Sequence, residues 1–171
     1  MSGRTSAQSI TKCYYNDGTL DFPRIMGNNI ESITEGGADF GDVDGDGDMD
    51  LFVTGLGQQG LHSDIYLNDG TGKFIVSTGQ PFVDVYASAA QLGDIDGDGD
   101  LDLVLSGKSG SNEYTRVYKN DGAGNFTYNQ NLSGMATGDL ELFDCDNDGD
   151  LDVGVLNRNV FGFPSTWWIL S

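Results

Sequence analysis

The densest group of chemically capable side chains is a run of aspartates in which every second residue carries a carboxylate. Asp42 to Asp50 places five carboxylates within nine residues, with glycine at two of the intervening positions. Carboxylates this close repel one another even in a high dielectric, so a folded chain keeps them together when a cation lies among them. Oxygen ligands on a flexible loop suit a hard cation with six or more ligands, which favours Ca²⁺ over Mg²⁺ and both over Zn²⁺.

The same nine-residue pattern occurs twice more, at Asp94 to Asp102 and at Asp144 to Asp152. Each copy has aspartate at positions 1, 3, 5, 7 and 9 and glycine at position 6, and an apolar segment follows each copy. These flanks argue against a solvated acidic loop or a disordered acidic tract, because their side chains have a core to enter. The residues predicted to bind metal are Asp42, Asp44, Asp46, Asp48, Asp50, Asp94, Asp96, Asp98, Asp100, Asp102, Asp144, Asp146, Asp148, Asp150 and Asp152.

The calcium loop predicted here is not that of an EF-hand. An EF-hand needs an acidic ligand at position 12, where this chain has Val53, Leu105 and Val155. The segment after each loop is short and rich in aliphatic and β-branched residues, which predicts a strand. We expect side-chain oxygens from positions 1, 3, 5 and 9, a backbone carbonyl from position 7, and a positive φ at the glycine of position 6. We therefore predict that each chain binds three Ca²⁺ ions, one in each loop.

Length and net charge limit the classes of protein to which the chain can belong. The 171 residues and 18.3 kDa suffice for one domain with a real core. Fifteen of the 27 acidic residues lie in the three loops, which explains most of the net charge of −19. This strongly negative net charge disfavours nucleic acid and anionic membranes as partners. No apolar run is long enough to span a bilayer, so no membrane insertion is expected.

A second motif repeats with almost the same period as the aspartate loops. Tyr14, Tyr66 and Tyr118 each begin a Tyr-x-Asn-Asp-Gly sequence, which predicts a hairpin turn between two strands. A unit of about fifty residues therefore contains a strand, the aspartate loop, a strand, a variable turn, a strand, the Asn-Asp-Gly turn and a last strand. Four strands in a unit of that size are typical of a β-propeller blade, so the predicted fold is all-β with three four-stranded repeats. The tyrosines, and the phenylalanines that follow each turn, are predicted to pack within the blades: Phe22, Phe74 and Phe126.

Two of the aspartate runs resemble a known family. The segments Phe40 to Leu51, FGDVDGDGDMDL, and Leu92 to Leu103, LGDIDGDGDLDL, are similar to the FG-GAP repeat, also called the VCBS repeat. The resemblance implies the calcium-binding blades found in integrin α-subunit propellers and bacterial surface proteins. It covers residues 12–171 as an array of three repeats, after a flexible lead-in at residues 1–11. The third copy departs from the pattern, with Phe143 in place of the preceding glycine and Asn147 at a glycine position.

The positions at which the chain begins and ends within the repeat predict an oligomer. Trp168 follows its loop by the same interval as Tyr118, and Tyr118 is in turn the counterpart of Tyr14. The same spacing predicts that Trp167 and Trp168 occupy ordinary strand positions. Three blades are too few for a closed propeller, which typically has four to eight. We therefore expect a homodimer that forms a six-bladed ring, in which the N-terminal strands of one chain complete the last blade of the other. A fragment of a longer propeller, or a three-blade array stabilised in another way, is the alternative.

The expected function is a calcium-dependent scaffold or binding module that recognises protein or carbohydrate outside the cell, as the resemblance implies. Candidate ligand contacts lie in the variable turns at Gln58 to Ser63 and Ser109 to Glu113. The alternative is a purely structural, self-assembling unit without a small ligand. A polysaccharide-active enzyme ranks below both, because no nucleophile and base pair is apparent and the sole histidine, His62, is expected at the surface.

Two further features say little about compartment or chemistry. The first eleven residues are polar and lack the apolar segment of a secretion signal. Cys13 and Cys145 have the spacing of neither a zinc site nor a redox motif, so they are interpreted as unpaired. A disulfide between them remains the alternative.

Overall fold

The chain folds into β-strands joined by turns. The computed structural model describes residues 11–22, 24–26, 29–132, 138–157 and 167–170, and within these residues it contains strands and no helix. The predicted lead-in at residues 1–11 lies outside the described residues except for its last one. The strands are β1 (Cys13–Tyr15), β2 (Arg24–Met26), β3 (Thr34–Gly41), β4 (Asp50–Leu56), β5 (Leu61–Asn68), β6 (Phe74–Ser77), β7 (Tyr86–Gly93), β8 (Asp102–Ser109), β9 (Asn112–Asn120), β10 (Phe126–Asn131), β11 (Gly138–Phe143), β12 (Asp152–Asn157) and β13 (Trp167–Leu170).

The strands form four antiparallel sheets in chain order. Strands β3 to β6 form one four-stranded sheet, β7 to β10 a second, β11 to β13 a three-stranded sheet, and β1 with β2 a two-stranded one. We call the first three blade 1, blade 2 and blade 3. Each aspartate loop joins the first and second strands of its blade, and each Asn-Asp-Gly turn of blades 1 and 2 joins the third and fourth. The all-β prediction and the four-stranded repeat are confirmed for blades 1 and 2, and the architecture is consistent with propeller blades.

The second strands of blades 1 and 2 are buried on both faces over most of their length. All of β4 except its last residue is buried, as are the first six residues of β8. A strand without an exposed face must lie between two other layers, which is why these segments read as continuous apolar runs. One layer of core lies between blades 1 and 2 and centres on Phe82, whose ring lies 5.3 Å from Phe52 and 5.2 Å from Tyr118. A second layer lies between blades 2 and 3 and contains Val104 and Val153.

The N-terminal segment packs on blade 1 much as the end of blade 1 packs on blade 2. The Glu31 N–H donates to the Tyr66 hydroxyl at 3.2 Å, and the Val83 N–H donates to the Tyr118 hydroxyl at 3.0 Å. Residues around position 30 therefore repeat the role of those around position 82. The prediction that all three tyrosines pack within blades holds for Tyr66 and Tyr118, which are buried, but is wrong for Tyr14, which is 57% exposed. Phe22 is likewise exposed, whereas Phe74 and Phe126 are buried, because the two-stranded sheet has no further layer over these side chains among the described residues.

Strand β13 pairs with β12 in a register that differs from the one predicted by the spacing of the repeats. In blade 2, Leu103 pairs with Tyr118, and in blade 3 its counterpart Val153 pairs with Leu170. Trp168 pairs instead with Val155, two residues further along β12. The prediction that Trp168 is the counterpart of Tyr118 is therefore wrong by two residues. The connection from β12 to β13 is longer than its equivalents, although β13 does form a third strand.

The first strands of the three blades lie side by side and are joined by side-chain to backbone hydrogen bonds. The Leu92 N–H donates to Asp39 Oδ2 at 2.8 Å across the boundary between blades 1 and 2. The Leu142 N–H donates to Gln91 Oε1 at 2.6 Å across the next boundary. Small residues of β3, β7 and β11 border an open cleft of about 340 Å³ between these strands. A side-chain to backbone bond of this kind recurs at both boundaries, and it helps to hold each blade in the same position relative to the one before it.

Candidate metal centres

The first aspartate of each loop organises the loop backbone. In the first loop, the Gly45 N–H donates to Asp42 Oδ1 at 2.9 Å and the Gly47 N–H donates to Asp42 Oδ2 at 3.0 Å. One carboxylate thus binds the backbone three and five residues ahead and draws the loop into a closed turn. The second and third loops contain the same pairs of bonds, from Gly97 and Gly99 to Asp94 and from Asn147 and Gly149 to Asp144.

The last aspartate of each loop is buried and ties the loop to the sheet. Asp50 is fully buried, and it accepts the Val43 N–H at 2.9 Å and the Asn68 N–H at 2.8 Å. Asp102 accepts the Asn120 N–H at 2.9 Å in the same way. Asp152 accepts the Cys145 N–H at 2.9 Å. Each of these carboxylates therefore fixes the start of the second strand beneath the loop.

Carboxylate oxygens converge in every loop. In the first loop the converging residues are at positions 1, 3 and 9, and the third loop uses the same positions. In the second loop they are at positions 1, 3 and 5. Within each group, one oxygen from every residue lies within 4.8 Å of the others, which is close to the separation of opposite ligands around an ion bound at 2.3–2.6 Å. The groups are Asp42, Asp44 and Asp50; Asp94, Asp96 and Asp98; and Asp144, Asp146 and Asp152.

The remaining predicted ligands lie at the edge of these groups. At position 5, Asp46, Asp98 and Asp148 each accept the N–H of position 7, at 2.9, 3.0 and 3.0 Å, and only the second loop also brings this position into its group. At position 7, the Asp48 carboxylate lies against Gly70 of the hairpin turn, where an added Cβ would lie 2.6 Å from its Oδ2. A side chain turned towards the hairpin agrees with the expectation that position 7 offers its backbone carbonyl. Asp100 lies against Gly122 in the same manner.

Burial and crowding of the carboxylates disfavour their charged forms. Burial raises the pKa of Asp50 and of Asp102 above the usual range for aspartate. Burial, followed by repulsion from Asp46, raises the pKa of Asp44. A divalent cation among these groups would reverse that bias, because a nearby positive charge favours the ionised carboxylate. The electrostatics of the loops therefore fit a bound metal ion.

The loop backbone turns through the left-handed region at two positions. The predicted positive φ at position 6 is confirmed, with φ of 92°, 95° and 100° at Gly47, Gly99 and Gly149. Position 4 also has a positive φ, of 74° at Gly45 and 62° at Asn147. Asparagine is one of the few residues other than glycine that tolerates this region, so the third loop keeps the conformation of the other two.

The first loop is covered by the hairpin turn of the next blade. The Asn120 side-chain amide donates to the Val43 carbonyl at 2.8 Å, and the Gly124 N–H donates to the same oxygen at 3.0 Å. Val43 is 1% exposed as a result. We call this contact between the first loop and the turn of blade 2 the loop–turn joint. In the third loop the residue equivalent to Val43 is Cys145, which is exposed.

The second loop holds a positively charged side chain. The Lys119 ammonium contacts Asp96 and lies 3.0 Å from Asp98 Oδ2. The hydrogen bonds that Lys119 donates to these two aspartates, that to Asp96 first, raise its pKa. A backbone hydrogen bond from Asp100, and then the bond from Lys119, lower the pKa of Asp98. The residue that occupies the place of Lys119 in blade 1 is Leu67.

The residues predicted to contact a ligand lie only partly on turns, because residues 61–63 belong to β5, Ser109 ends β8, and residues 112–113 begin β9. Residues 58–60 form a turn before β5, and the Gln58 N–H donates to Glu31 Oε1 at 3.1 Å. In blade 2 the turn is narrower, and Lys108 pairs with Glu113 at 2.9 Å. The prediction that His62 lies at the surface is wrong, since its side chain is 25% exposed and its Nδ1 lies 3.1 Å from Asp64.

Both cysteines are free thiols, and the structure contains no disulfide between them. Burial raises the pKa of Cys13. A hydrogen bond with Asp152 raises the pKa of Cys145. Among the described residues, no helix is both long and apolar enough to cross a membrane.

Sequence reasoning missed two kinds of functional residue. The asparagine of each Asn-Asp-Gly turn was assigned to the turn alone, yet Asn68 and Asn120 hold the last aspartate of the loop through their backbone N–H groups. The signal was present, because each asparagine lies eighteen residues after its aspartate. Lys119 had no such signal, since it occurs in one repeat only.

Comparison with known families agrees with the repeat seen in the fold. The model of a family described as an FG-GAP-like repeat matches residues 42–105 and again residues 94–155. Each match begins at the first aspartate of one loop and runs through the next loop to the strand that follows it. Together the two matches span two thirds of the chain. No curated protein matches the sequence.

Proposed function

Since the chain belongs to the FG-GAP-like repeat family, we propose that it is a calcium-binding β-propeller module that serves as a scaffold for recognition outside the cell. The observation that carries this proposal is the convergence of three carboxylates in the same place in every blade. A chance acidic patch would not recur at the first loop of three successive sheets. The proposal assigns no catalytic role to the chain.

Calcium fits these loops better than other divalent ions. The donors are all oxygens, and they sit on a turn whose glycines leave room for six to eight ligands. The carboxylates of positions 1, 3 and 9, with position 5 in the second loop, would hold the ion. A bound ion would offset the repulsion within each loop and tie the first two strands of each blade together. Because such an ion binds the folded chain and hardly the unfolded one, it would stabilise the fold.

The test is thermal unfolding in excess chelator and in millimolar calcium. We expect the midpoint temperature to rise clearly with Ca²⁺ and to rise less with Mg²⁺ at the same concentration. Asp44→Asn should reduce the rise, because it removes one of the converging carboxylates. Asp69→Asn is the matched control, since Asp69 lies in the exposed turn beside the first loop and binds Thr71. Identical midpoints in chelator and calcium would contradict the proposal.

The recognition role concerns protein or carbohydrate ligands, bound by the turns between strands. Open, all-oxygen calcium sites suit the high calcium concentrations outside cells, and this supports an extracellular location. The segments at residues 58–63 and 109–113, each a turn with the strand ends beside it, differ between blades, as a binding surface on a repeated scaffold requires. The alternative is a structural unit without a small ligand. A glycan array in calcium separates the two, because a lectin must give reproducible hits that chelator abolishes.

We also propose that two chains form a six-bladed ring. The described residues contain two complete blades, a blade with three strands, and a separate two-stranded sheet. Cys13 of the two-stranded sheet packs against the core of blade 1 beside Ile30 and Ile33, which supports this sheet's joining a blade of a second copy. Ring closure would require β1 of the partner to take the position that β13 holds beside β12. Light scattering should then give about twice the 18.3 kDa of one chain, and a single-chain mass at micromolar concentration would contradict the ring.

A further inference from the structure

Among the residues that the structure describes, the second loop differs from the other two in holding a cationic side chain. Lys119 lies on β9, and its ammonium contacts Asp96 and Asp98 at positions 3 and 5 of the loop. Its side chain is 41% exposed, so the contact lies at the open side of the loop rather than in the core. A lysine ammonium at such an open position is charged throughout the physiological range.

Blade 1 has an uncharged residue at the position equivalent to Lys119. Leu67 takes the place of Lys119 on β5, and it packs against the core between blades 1 and 2. The two loops also differ in which carboxylates converge. The first loop gathers positions 1, 3 and 9, and so does the third, whereas the second gathers positions 1, 3 and 5. The two positions that Lys119 contacts are among the three that converge in the second loop.

These two observations have one explanation. An ammonium held by Asp96 and Asp98 draws both carboxylates towards itself, so that position 5 replaces position 9 in the group. The attraction between opposite charges offsets part of the repulsion that a metal ion would otherwise have to offset. An incoming divalent ion must compete with the ammonium for the same two carboxylates.

We propose that Lys119 is a tethered counter-ion that lowers the affinity of the second loop for divalent cations and holds that loop in shape when no metal is bound. The inference rests on the proposed calcium-binding function. It makes the three sites unequal, with the second loop the last to fill as calcium rises. The chain would then respond to calcium over a wider range of concentration than three equal sites allow.

The test exchanges the residues at this position between blades 1 and 2. Lys119→Leu places in blade 2 the side chain that blade 1 already carries, and Leu67→Lys places an ammonium beside the first loop. Calorimetric titration with Ca²⁺ measures the affinities. We expect Lys119→Leu to tighten one site at least tenfold and leave the others unchanged, and Leu67→Lys to weaken a different site. Lys119→Arg keeps the charge and should titrate like the parent chain.

A second measurement covers the metal-free protein. In excess chelator, Lys119→Leu should unfold at a lower temperature than the parent chain, because the second loop loses the ammonium that offsets the charge of Asp96 and Asp98. Lys119→Met, which keeps most of the aliphatic side chain, replaces Lys119→Leu if the latter fails to fold by circular dichroism.

Two results would separate this inference from the proposed function. If the parent chain binds calcium and Lys119→Leu and Lys119→Met give the same isotherm as the parent, the inference is wrong and the calcium function stands. If the parent chain takes up no calcium at all, the proposed function fails and this inference fails with it.

Discussion

The first and third aspartate loops share a sequence pattern and a backbone conformation, yet they differ in what surrounds them. In both, the first aspartate accepts two backbone N–H groups and the last aspartate accepts the N–H of position 2. The first loop carries the turn of blade 2 on its Val43 carbonyl, and Val43 is buried. The third loop leaves Cys145 exposed at the same position.

The comparison shows that the conformation of a loop and its burial have different causes. The loop closes through bonds within nine residues, so it closes in the same way wherever it lies in the array. Its burial comes from the loop–turn joint, which depends on a neighbouring blade. We therefore expect substitutions within the joint to destabilise the protein strongly, and substitutions at the equivalent positions of the third loop to destabilise it weakly.

The largest effect should come from placing the third blade's aromatic residue in the first blade. An added Cβ at Gly41 would lie 2.6 Å from Leu101 Cδ1, because blade 2 packs directly on this glycine. Gly41→Phe should therefore force blades 1 and 2 apart and cost at least about 3 kcal/mol, at the upper end for overpacking. Urea unfolding in calcium measures the change. Phe143→Gly is the control, and it should cost less because the Phe143 ring is 37% exposed.

The next effect concerns the asparagine that links two loops. Asn120 is 1% exposed, and its amide donates to the Val43 carbonyl and to the Leu101 carbonyl. Asn120→Ala removes both bonds, leaves the Val43 carbonyl with the Gly124 N–H alone, and should cost about 2.5 kcal/mol of unfolding free energy. Asn68→Ala removes the equivalent bond to Met49 at a half-buried site, so a smaller loss is expected. Equal losses in the two variants would show that the joint contributes nothing.

A smaller effect should follow from truncating the residue at position 2 of the loop. Val43→Ala removes two methyl groups from the core between blades 1 and 2 and should cost about 2 kcal/mol. Cys145→Ala at the equivalent exposed position should change stability by no more than about 0.5 kcal/mol. Thermal unfolding of the two variants in parallel gives the comparison. A large loss from Cys145→Ala would mean that the third loop is covered in solution, as it would be in the proposed ring.

The smallest effect should come from restoring glycine in the third loop. Asn147 has the same left-handed backbone as Gly45, and asparagine tolerates it. Asn147→Gly should therefore change the unfolding free energy by no more than about 0.5 kcal/mol. Asn147→Val should cost clearly more, because a β-branched side chain clashes at positive φ. If both variants behave alike in chemical unfolding, the third loop does not have the conformation of the first.

Much of the candidate site could be predicted from the sequence because its bonds are local. The spacing of aspartates and glycines encodes the turn, and the apolar runs encode the strands that flank it. The register of β13 could not be predicted, because the repeat spacing assumes equal intervals between paired residues, and Leu170 lies two residues further from its partner Val153 than Tyr118 lies from Leu103. The exposure of Tyr14 could not be predicted either, since it depends on whether another layer of the structure covers that strand.

The sequence by itself determined the aspartate loops, their conformation and the strands they join, because those features depend on residues within a few positions of one another. Only the tertiary structure decided which loop is buried, which glycine contacts the next blade and where Lys119 places its charge. Those outcomes depend on residues that lie far apart in the chain and meet only when one blade packs on the next. A repeat can be recognised from its own residues, whereas the difference between its copies is set by their neighbours.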